Sequence, residues 1–230
     1  MSTAQDDLTG RARLRDAAIE GFAAQGFDES LRAIAARAGV SAGLVRHHFG
    51  SKENLRAECD ATVLERYRKL KVDSINAEPS VMFSQLPSSR EGGILMVYIL
   101  RSVRDGGAAG RAFLENLVAE GIEFSADAVA RGLVVPSRNE EARVRHLVRQ
   151  SVGALIVQLG MWPDLALDDF EGVMERFYAE SMLPTLELYT EGLFADRTYL
   201  DQYLAFVAGT ETTPAAPAEE TSSHHGKSKE

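Results

Sequence analysis

The sequence predicts an all-α protein, and three observations carry that reading. Apolar residues recur at the i, i+3, i+4 spacing of helices along most of the chain, alternating runs of the strand type are scarce, and the helical segments are punctuated by glycines and serines suited to stopping and starting helices. At 230 residues the chain has room for one large domain, or for a small one joined to a larger one. Its composition, 45% hydrophobic and 26% charged, is that of a globular protein able to bury a substantial core.

The first helix runs from about Thr9 to about Gln25. Leu14, Ala18 and Phe22 lie four residues apart on one face, Arg11, Arg15 and Asp16 lie elsewhere, and Gly26 stops it. Ser30 offers an N-cap oxygen to a second, short helix in which Leu31, Ile34, Ala35 and Ala38 form an apolar stripe ending at Gly39. Ser41 opens a third helix through Phe49. Ser51 opens a fourth and longer one with Leu55, Cys59, Val63 and Tyr67 on its inner side. From Asn76 to Gly93 the chain carries Pro79, Pro87, several serines and Gly92-Gly93, which reads as a linker or long loop. Further helices are expected over about Ile94 to Arg104, Gly110 to Leu133, Asn139 to Met161, and Asp168 to Phe194, where Pro184 must kink or restart the last.

This pattern divides the chain into a helix-turn-helix head over residues 1–58, a larger helical body over 59–208, and a disordered tail over 209–230. The helix from Asn139 turns apolar on nearly every side across Val152, Ala154, Leu155, Ile156, Val157 and Leu159. A helix apolar all round wants two partners, its own core and a second subunit. Together with the helix from Asp168 it is the expected dimer interface, with burial inside one domain as the alternative.

Charge supports a two-part molecule. The net charge is −9, yet residues 1–72 hold 12 Lys and Arg against 10 Asp and Glu, while the remainder holds 13 against 24. A mildly basic end on an acidic body suits a protein that presents one end to a polyanion. The longest uncharged stretch, Gln150 to Pro163, falls short of the roughly 20 apolar residues that cross a bilayer, and no secretory signal is visible. A cytoplasmic protein without membrane association is expected. Cys59, the one cysteine, cannot form an intrachain disulfide or a cysteine metal cluster and reads as a core residue. His224-His225 in the tail reads as solvated rather than metal-binding.

Neither a metal site nor a cofactor is expected, and no enzyme. The chain has no H-E-x-x-H, no phosphate loop and no G-x-S-x-G, and the carboxylate pairs Glu140-Glu141 and Asp168-Asp169 sit at helix starts, where they complement the dipole.

The informative stretch is Leu31 to Phe49. A short helix, a turn centred on Gly39 and a second helix follow one another at helix-turn-helix spacing. Gly39 can take the left-handed conformation, Val40 can tuck beneath the turn and Ser41 can cap the next helix. Ala42 and Gly43 have little side chain and would let the backbone approach a groove wall. Arg46, His47 and His48 could reach outward, while Val45 and Phe49, four apart, point inward. Such a helix suits a major groove about 12 Å wide. Lys52 and the amides at Ser41 and at Ser51 to Glu53 could meet phosphate. The same geometry also serves as plain scaffolding, so spacing alone leaves DNA binding and a scaffold role open.

The run Gly39-Val40-Ser41-Ala42-Gly43-Leu44-Val45-Arg46-His47-His48-Phe49-Gly50-Ser51-Lys52-Glu53-Asn54-Leu55, with the preceding Phe22-Ala23-Ala24-Gln25-Gly26-Phe27 and Ile34-Ala35, closely resembles the signature of the TetR/AcrR family of transcriptional regulators. The resemblance implies a three-helix DNA-binding head, a long fourth helix leading into a ligand-binding body, and a homodimer built on two late helices. It also implies a repressor that leaves a palindromic operator on double-stranded DNA when a small molecule binds. Carried over by position, the DNA contacts are Ser30 and Arg32 at the second helix, Ser41, Ala42, Gly43, Arg46 and His47 on the third, and Lys52 on phosphate. Arg46 departs from the family pattern, which usually has tyrosine there, and arginine can bind a phosphate or a guanine edge. His48 is expected to pack beside Phe49. A small apolar effector would be lined by Met96, Tyr98, Phe113, Phe124, Met161, Trp162 and Phe177, each of which also reads as ordinary core. The alternative function is a helical small-molecule carrier or protein-interaction module that keeps the helix-turn-helix as scaffold.

Overall fold

The computed structural model of the chain describes residues 2–85, 88–162 and 164–211. Among the described residues the secondary structure is helical, without strands. Helix α1 (Ser2–Gln25) starts earlier than its apolar pattern predicts and buries Leu14, Ala18, Ile19, Phe22 and Ala23. Gly26, at φ +93°, ends it. Helices α2 (Leu31–Arg37) and α3 (Ala42–Phe49) pack on α1 and on each other, and α4 (Lys52–Asn76) closes this head with Leu55, Cys59 and Val63 fully buried and Tyr67 packed beside them. The inner face of the fourth helix is therefore the one its spacing predicts.

The stretch read as a linker is largely helical. After α5 (Pro79–Gln85), α6 (Arg90–Asp105) begins with Ser89, whose hydroxyl accepts the Gly92 N–H at 3.1 Å. Gly92 and Gly93 are buried inside α6. A Cβ at Gly93 would lie 2.0 Å from the Phe170 carbonyl oxygen, at the start of α9 (Phe170–Thr190). The glycine pair is thus a site of close helix packing rather than a loop signal, and Ser89 and Pro79 stand at helix starts. Helix α7 (Gly107–Ala130) is continuous, and Gly110 brings it against the Ser102 carbonyl, where a Cβ would lie 2.7 Å away. It ends before the predicted Leu133 because Gly132 turns left-handed at φ +71°, with the Leu133 N–H on the Ala128 carbonyl at 2.9 Å. Helix α8 (Glu140–Met161) begins as predicted, with the Asn139 side chain accepting the Ala142 N–H at 2.9 Å. At α9 the Asp169 carboxylate accepts the Gly172 N–H at 3.1 Å, a capping role for one of the predicted carboxylate pairs. Helix α6 sits centrally, packed on α1, α4, α7 and α8.

Compact packing divides the chain into Met1–Leu183 and Pro184–Glu230. Pro184 neither ends nor restarts α9, which runs on to Thr190. Proline lacks the N–H that would bond the Glu180 carbonyl, so the helix is weakened at the point where one unit gives way to the other along the chain. The second unit contains α10 (Thr198–Glu211), a helix that apolar spacing does not predict, since the last expected helix ends near Phe194. The Asp196 carboxylate accepts the Thr198 N–H at 2.8 Å and starts it, and the Phe194 and Tyr199 rings stack with centroids 4.9 Å apart. Gly209 does not stop α10, which enters the segment read as a tail; residues 212–230, with His224-His225, lie outside the described residues. No helix among the described residues is long and apolar enough to cross a membrane.

Candidate nucleic-acid interface

Local chemistry builds the helix-turn-helix. The Ser30 hydroxyl accepts the Ala33 N–H at 3.2 Å and starts α2. Its end is a paired closure, with the Val40 N–H on the Ala35 carbonyl at 2.9 Å and the Gly39 N–H on the Ala36 carbonyl at 3.1 Å. That arrangement needs a left-handed residue, which Gly39 supplies at φ +70°. Arg13 adds a donor to the Ala38 carbonyl at 3.1 Å. Ser41 stands at the N-cap of α3 in extended conformation, but its hydroxyl makes no capping bond, contrary to the expected cap. The helix is started by backbone alone, through the Leu44 N–H on the Ser41 carbonyl at 3.1 Å. Its first amides are left without a side-chain cap beside the exposed Ser41 and Gly43.

Helix α3 has two faces. Val45 and Phe49 are buried in the head, while Arg46 and His47 are exposed and Ala42 is half-buried. His48 is half-buried with its ring edge-on to Phe49, centroids 6.1 Å apart. Helix α3 is held by a residue whose helical spacing places it only on the outer side of α1. Arg11 donates to the His48 carbonyl at 2.9 Å, lies 4.9 Å over the Phe49 ring, and pairs with both oxygens of Glu58 on α4. It ties three helices together. The Glu58 carboxyl is held below its ordinary value, chiefly by the Arg11 hydrogen bonds. These partners are 37 and 47 residues away in sequence, so no helical spacing points to them.

Charge is distributed unevenly over this surface. Arg37 is neutralised by Glu20 at 3.5 Å and Glu29 at 3.4 Å. Among the described residues no salt bridge holds the exposed Arg32 and Arg46, or Lys52 at the start of α4. The start of α4 differs from expectation. The Ser51 hydroxyl accepts the Asn54 N–H at 3.1 Å, and the Glu53 carboxyl is lowered by its own backbone N–H and by the Ser51 hydroxyl. Those donors are used from within the chain, which leaves the Lys52 side chain as the group suited to phosphate there.

The residues expected to line an effector site are not one cluster. Tyr98 and Phe113 are buried together, ring centroids 6.2 Å apart, and Tyr98 is edge-on to Phe27 at 5.4 Å. Met96, Phe124 and Phe177 are half-buried on α6, α7 and α9. Trp162 is buried at the end of α8, where its Nε1 donates to Glu180 at 3.2 Å beneath the Arg176 guanidinium. Met161 is 72% exposed and stands apart from them. Tyr98 also carries a polar link that the sequence does not signal. Its hydroxyl donates to Asp60 on α4 at 2.7 Å, and burial raises the pKa of both groups. Beside it, Arg56 lies 3.6 Å over Phe27 and pairs with Asp105 at 2.7 Å.

Comparison with known proteins places this architecture. Residues 14–59 match the sequence model for bacterial regulatory proteins of the tetR family, and residues 91–195 match that for the tetracyclin repressor-like C-terminal domain. The chain is 39% identical over 200 residues to the HTH-type transcriptional regulatory protein RaaS of Mycobacterium tuberculosis, covering 86% of this chain and 93% of that protein. A solved TetR-family transcriptional regulator of Mesorhizobium loti aligns at 19% identity and TM-score 0.46, over 75% of this chain and 96% of its own. Salmonella enterica GusR aligns at 18% identity and TM-score 0.46, over 74% and 93% respectively. The fold and its helix-turn-helix define a DNA-binding transcriptional regulator. The chain belongs to the TetR family.

Proposed function

We propose that the protein is a cytoplasmic repressor that binds a palindromic operator as a homodimer and leaves it when a small apolar molecule enters the helical body. The observation that carries this is the outer face of the helix-turn-helix. Arg32 and Arg46 stand exposed there without carboxylate partners among the described residues, beside His47, while Val45 and Phe49 on the opposite face are locked into the core. Unneutralised guanidinium groups on a helix with a lean, uncapped start match what a major groove offers, phosphate along its rim and guanine O6 and N7 on its floor. In this reading Ser30, Arg32, Ser41, Ala42, Gly43 and Lys52 hold the duplex backbone, and Arg46 and His47 reach the base edges.

Residues 1–58 then form the reading head, and residues 59–208 form the body that pairs and binds the effector. Homodimerisation through α8 and α9 is supported by Ile156, Val157 and Leu183, which are exposed in the single chain. Two-fold pairing presents two recognition helices to half-sites about 34–36 Å apart, or a somewhat longer spacing on one face. The effector site we assign to the surroundings of Tyr98 and Phe113, with the half-buried Met96 packed against the same core. An effector acts only through its preference for the arrangement that does not fit DNA.

Selection of bound fragments from randomised duplex DNA at near-physiological salt tests the reading. The parent protein is expected to enrich a two-fold symmetric site, and Arg46→Ala/Lys52→Ala to lose it. Lys52→Ala alone is expected to weaken binding on all sequences and to lower the salt slope by about one for each phosphate it no longer neutralises. A folded parent that enriches nothing would instead point to a carrier or interaction module with the helix-turn-helix as scaffold.

A further inference from the structure

The body grips the head at a point that none of the expected DNA contacts touches. Arg101, on body helix α6, donates through Nε to the Ala23 carbonyl at 2.5 Å and through Nη2 to the Ala24 carbonyl at 2.7 Å. Both oxygens belong to the last turn of α1, where helix carbonyls have no partner within the helix and a positive charge meets the negative end of the dipole. Nη1 faces Gly26, where a Cβ would come within 3.3 Å, so the backbone beyond the helix end is shaped to admit the guanidinium. Near the middle of the same helix, Arg11 holds the His48 carbonyl of α3. At about 1.5 Å per residue the two grips lie roughly 20 Å apart along one rigid element.

We propose that Arg101 is a positioning residue for DNA binding: it couples α6 to the end of α1, and α1 carries any displacement of α6 to the recognition helix through Arg11. The inference rests on the DNA-binding reading above and names a contact through which the body controls the head. The planar fork is essential, because its two parallel donors fix direction as well as distance. A lysine would keep the charge near the dipole and lose that direction.

The test compares Arg101→Ala and Arg101→Lys with the parent by two measurements. Amide hydrogen exchange of the full chain is expected to speed at least tenfold across residues 22–27 in Arg101→Ala, with α7 unchanged. Affinity is then measured on the selected palindrome and on a duplex carrying one half-site. Palindrome affinity is expected to fall about tenfold in Arg101→Ala and about threefold in Arg101→Lys. Half-site affinity stays within twofold, because Arg46, His47 and Lys52 are untouched. A merely structural role would lower both affinities together or neither. Unchanged exchange at residues 22–27, or equal losses on both duplexes, overturns the proposal. A parent that does not prefer the palindrome sinks the DNA reading instead, and the clamp is then judged by exchange alone. Should Arg101→Ala fail to fold, Arg101→Lys carries the same comparison.

Discussion

Replacing Gly93 by alanine separates a local from a tertiary account of this chain by the sign of the result. A glycine inside a helix costs about 1 kcal/mol relative to alanine, so helix propensity alone makes Gly93→Ala stabilising. The packing of α6 on the start of α9 says otherwise. The added Cβ would stand 2.0 Å from the Phe170 carbonyl oxygen, 2.7 Å from its carbon and 3.0 Å from its Cβ. Ordinary contact begins near 3.4 Å, and a backbone carbonyl inside a helix cannot swing aside as the end of a long side chain can. Relief requires moving the two helices apart by more than 1 Å, which opens the buried contacts of Phe170, Val173 and Met174. Overpacking of this kind costs about 1–3 kcal/mol, and a backbone overlap belongs at the upper end. After the gain in propensity, a net loss of about 2 kcal/mol remains, or a fall in Tm of roughly 4–8 °C for a chain of this size. Urea unfolding at fixed protein concentration, followed by circular dichroism, measures it. Gly160→Ala in α8, where the new Cβ meets nothing within 4 Å, is the control and should be neutral or slightly stabilising. If Gly93→Ala matches or exceeds the parent in stability, the close approach of α6 to α9 is wrong, and with it the reason for the glycine pair.

Other consequences follow from the polar contacts. Glu58 has its pKa lowered by Arg11, so its contribution is present above the unfolded value and is lost as pH falls through the folded one. Glu58→Gln should therefore cost about 1 kcal/mol near neutral pH, with the difference from the parent vanishing in acid, as read by unfolding curves at pH 7 and pH 3. Tyr98→Phe removes the hydroxyl that donates to the half-buried Asp60 carboxylate and should cost about 1–2 kcal/mol in the same assay, with no change in helix content. The Cys59 thiol, fully buried and with its pKa raised by that burial, should resist an alkylating reagent at pH 8 in the native protein and react fully in denaturant. Rapid labelling of the native protein would contradict its place in the head core.

Features that depend on short separations are legible from the residues alone. Helix class, the apolar face of α1 and the turn at Gly39 all follow from contacts within a few residues. So do the inward pair Val45 and Phe49 and the caps at Ser30 and Ser51. The family signature lies in the same stretch, because the turn and the recognition helix demand small, capping and basic residues at set spacings.

Everything else waits on how the helices pack. Gly92-Gly93 reads as a loop in sequence and is a contact between helices, since the Phe170 carbonyl that demands it lies far along the chain. Ser41 has the residue type of a cap and makes no capping bond. Arg11 and Arg101 look like surface arginines on amphipathic helices; their carbonyl partners at His48, Ala23 and Ala24 appear only after the helices have packed. The aromatic residues expected to line one effector site are spread over the body, from the buried Tyr98 and Phe113 to the half-buried Phe124 and Phe177, and Met161 beside them in that expectation is exposed. A helical pattern reports which side of a helix is apolar, but which other helix meets that side, and at what distance, is set by packing between residues whose separation leaves no periodic trace.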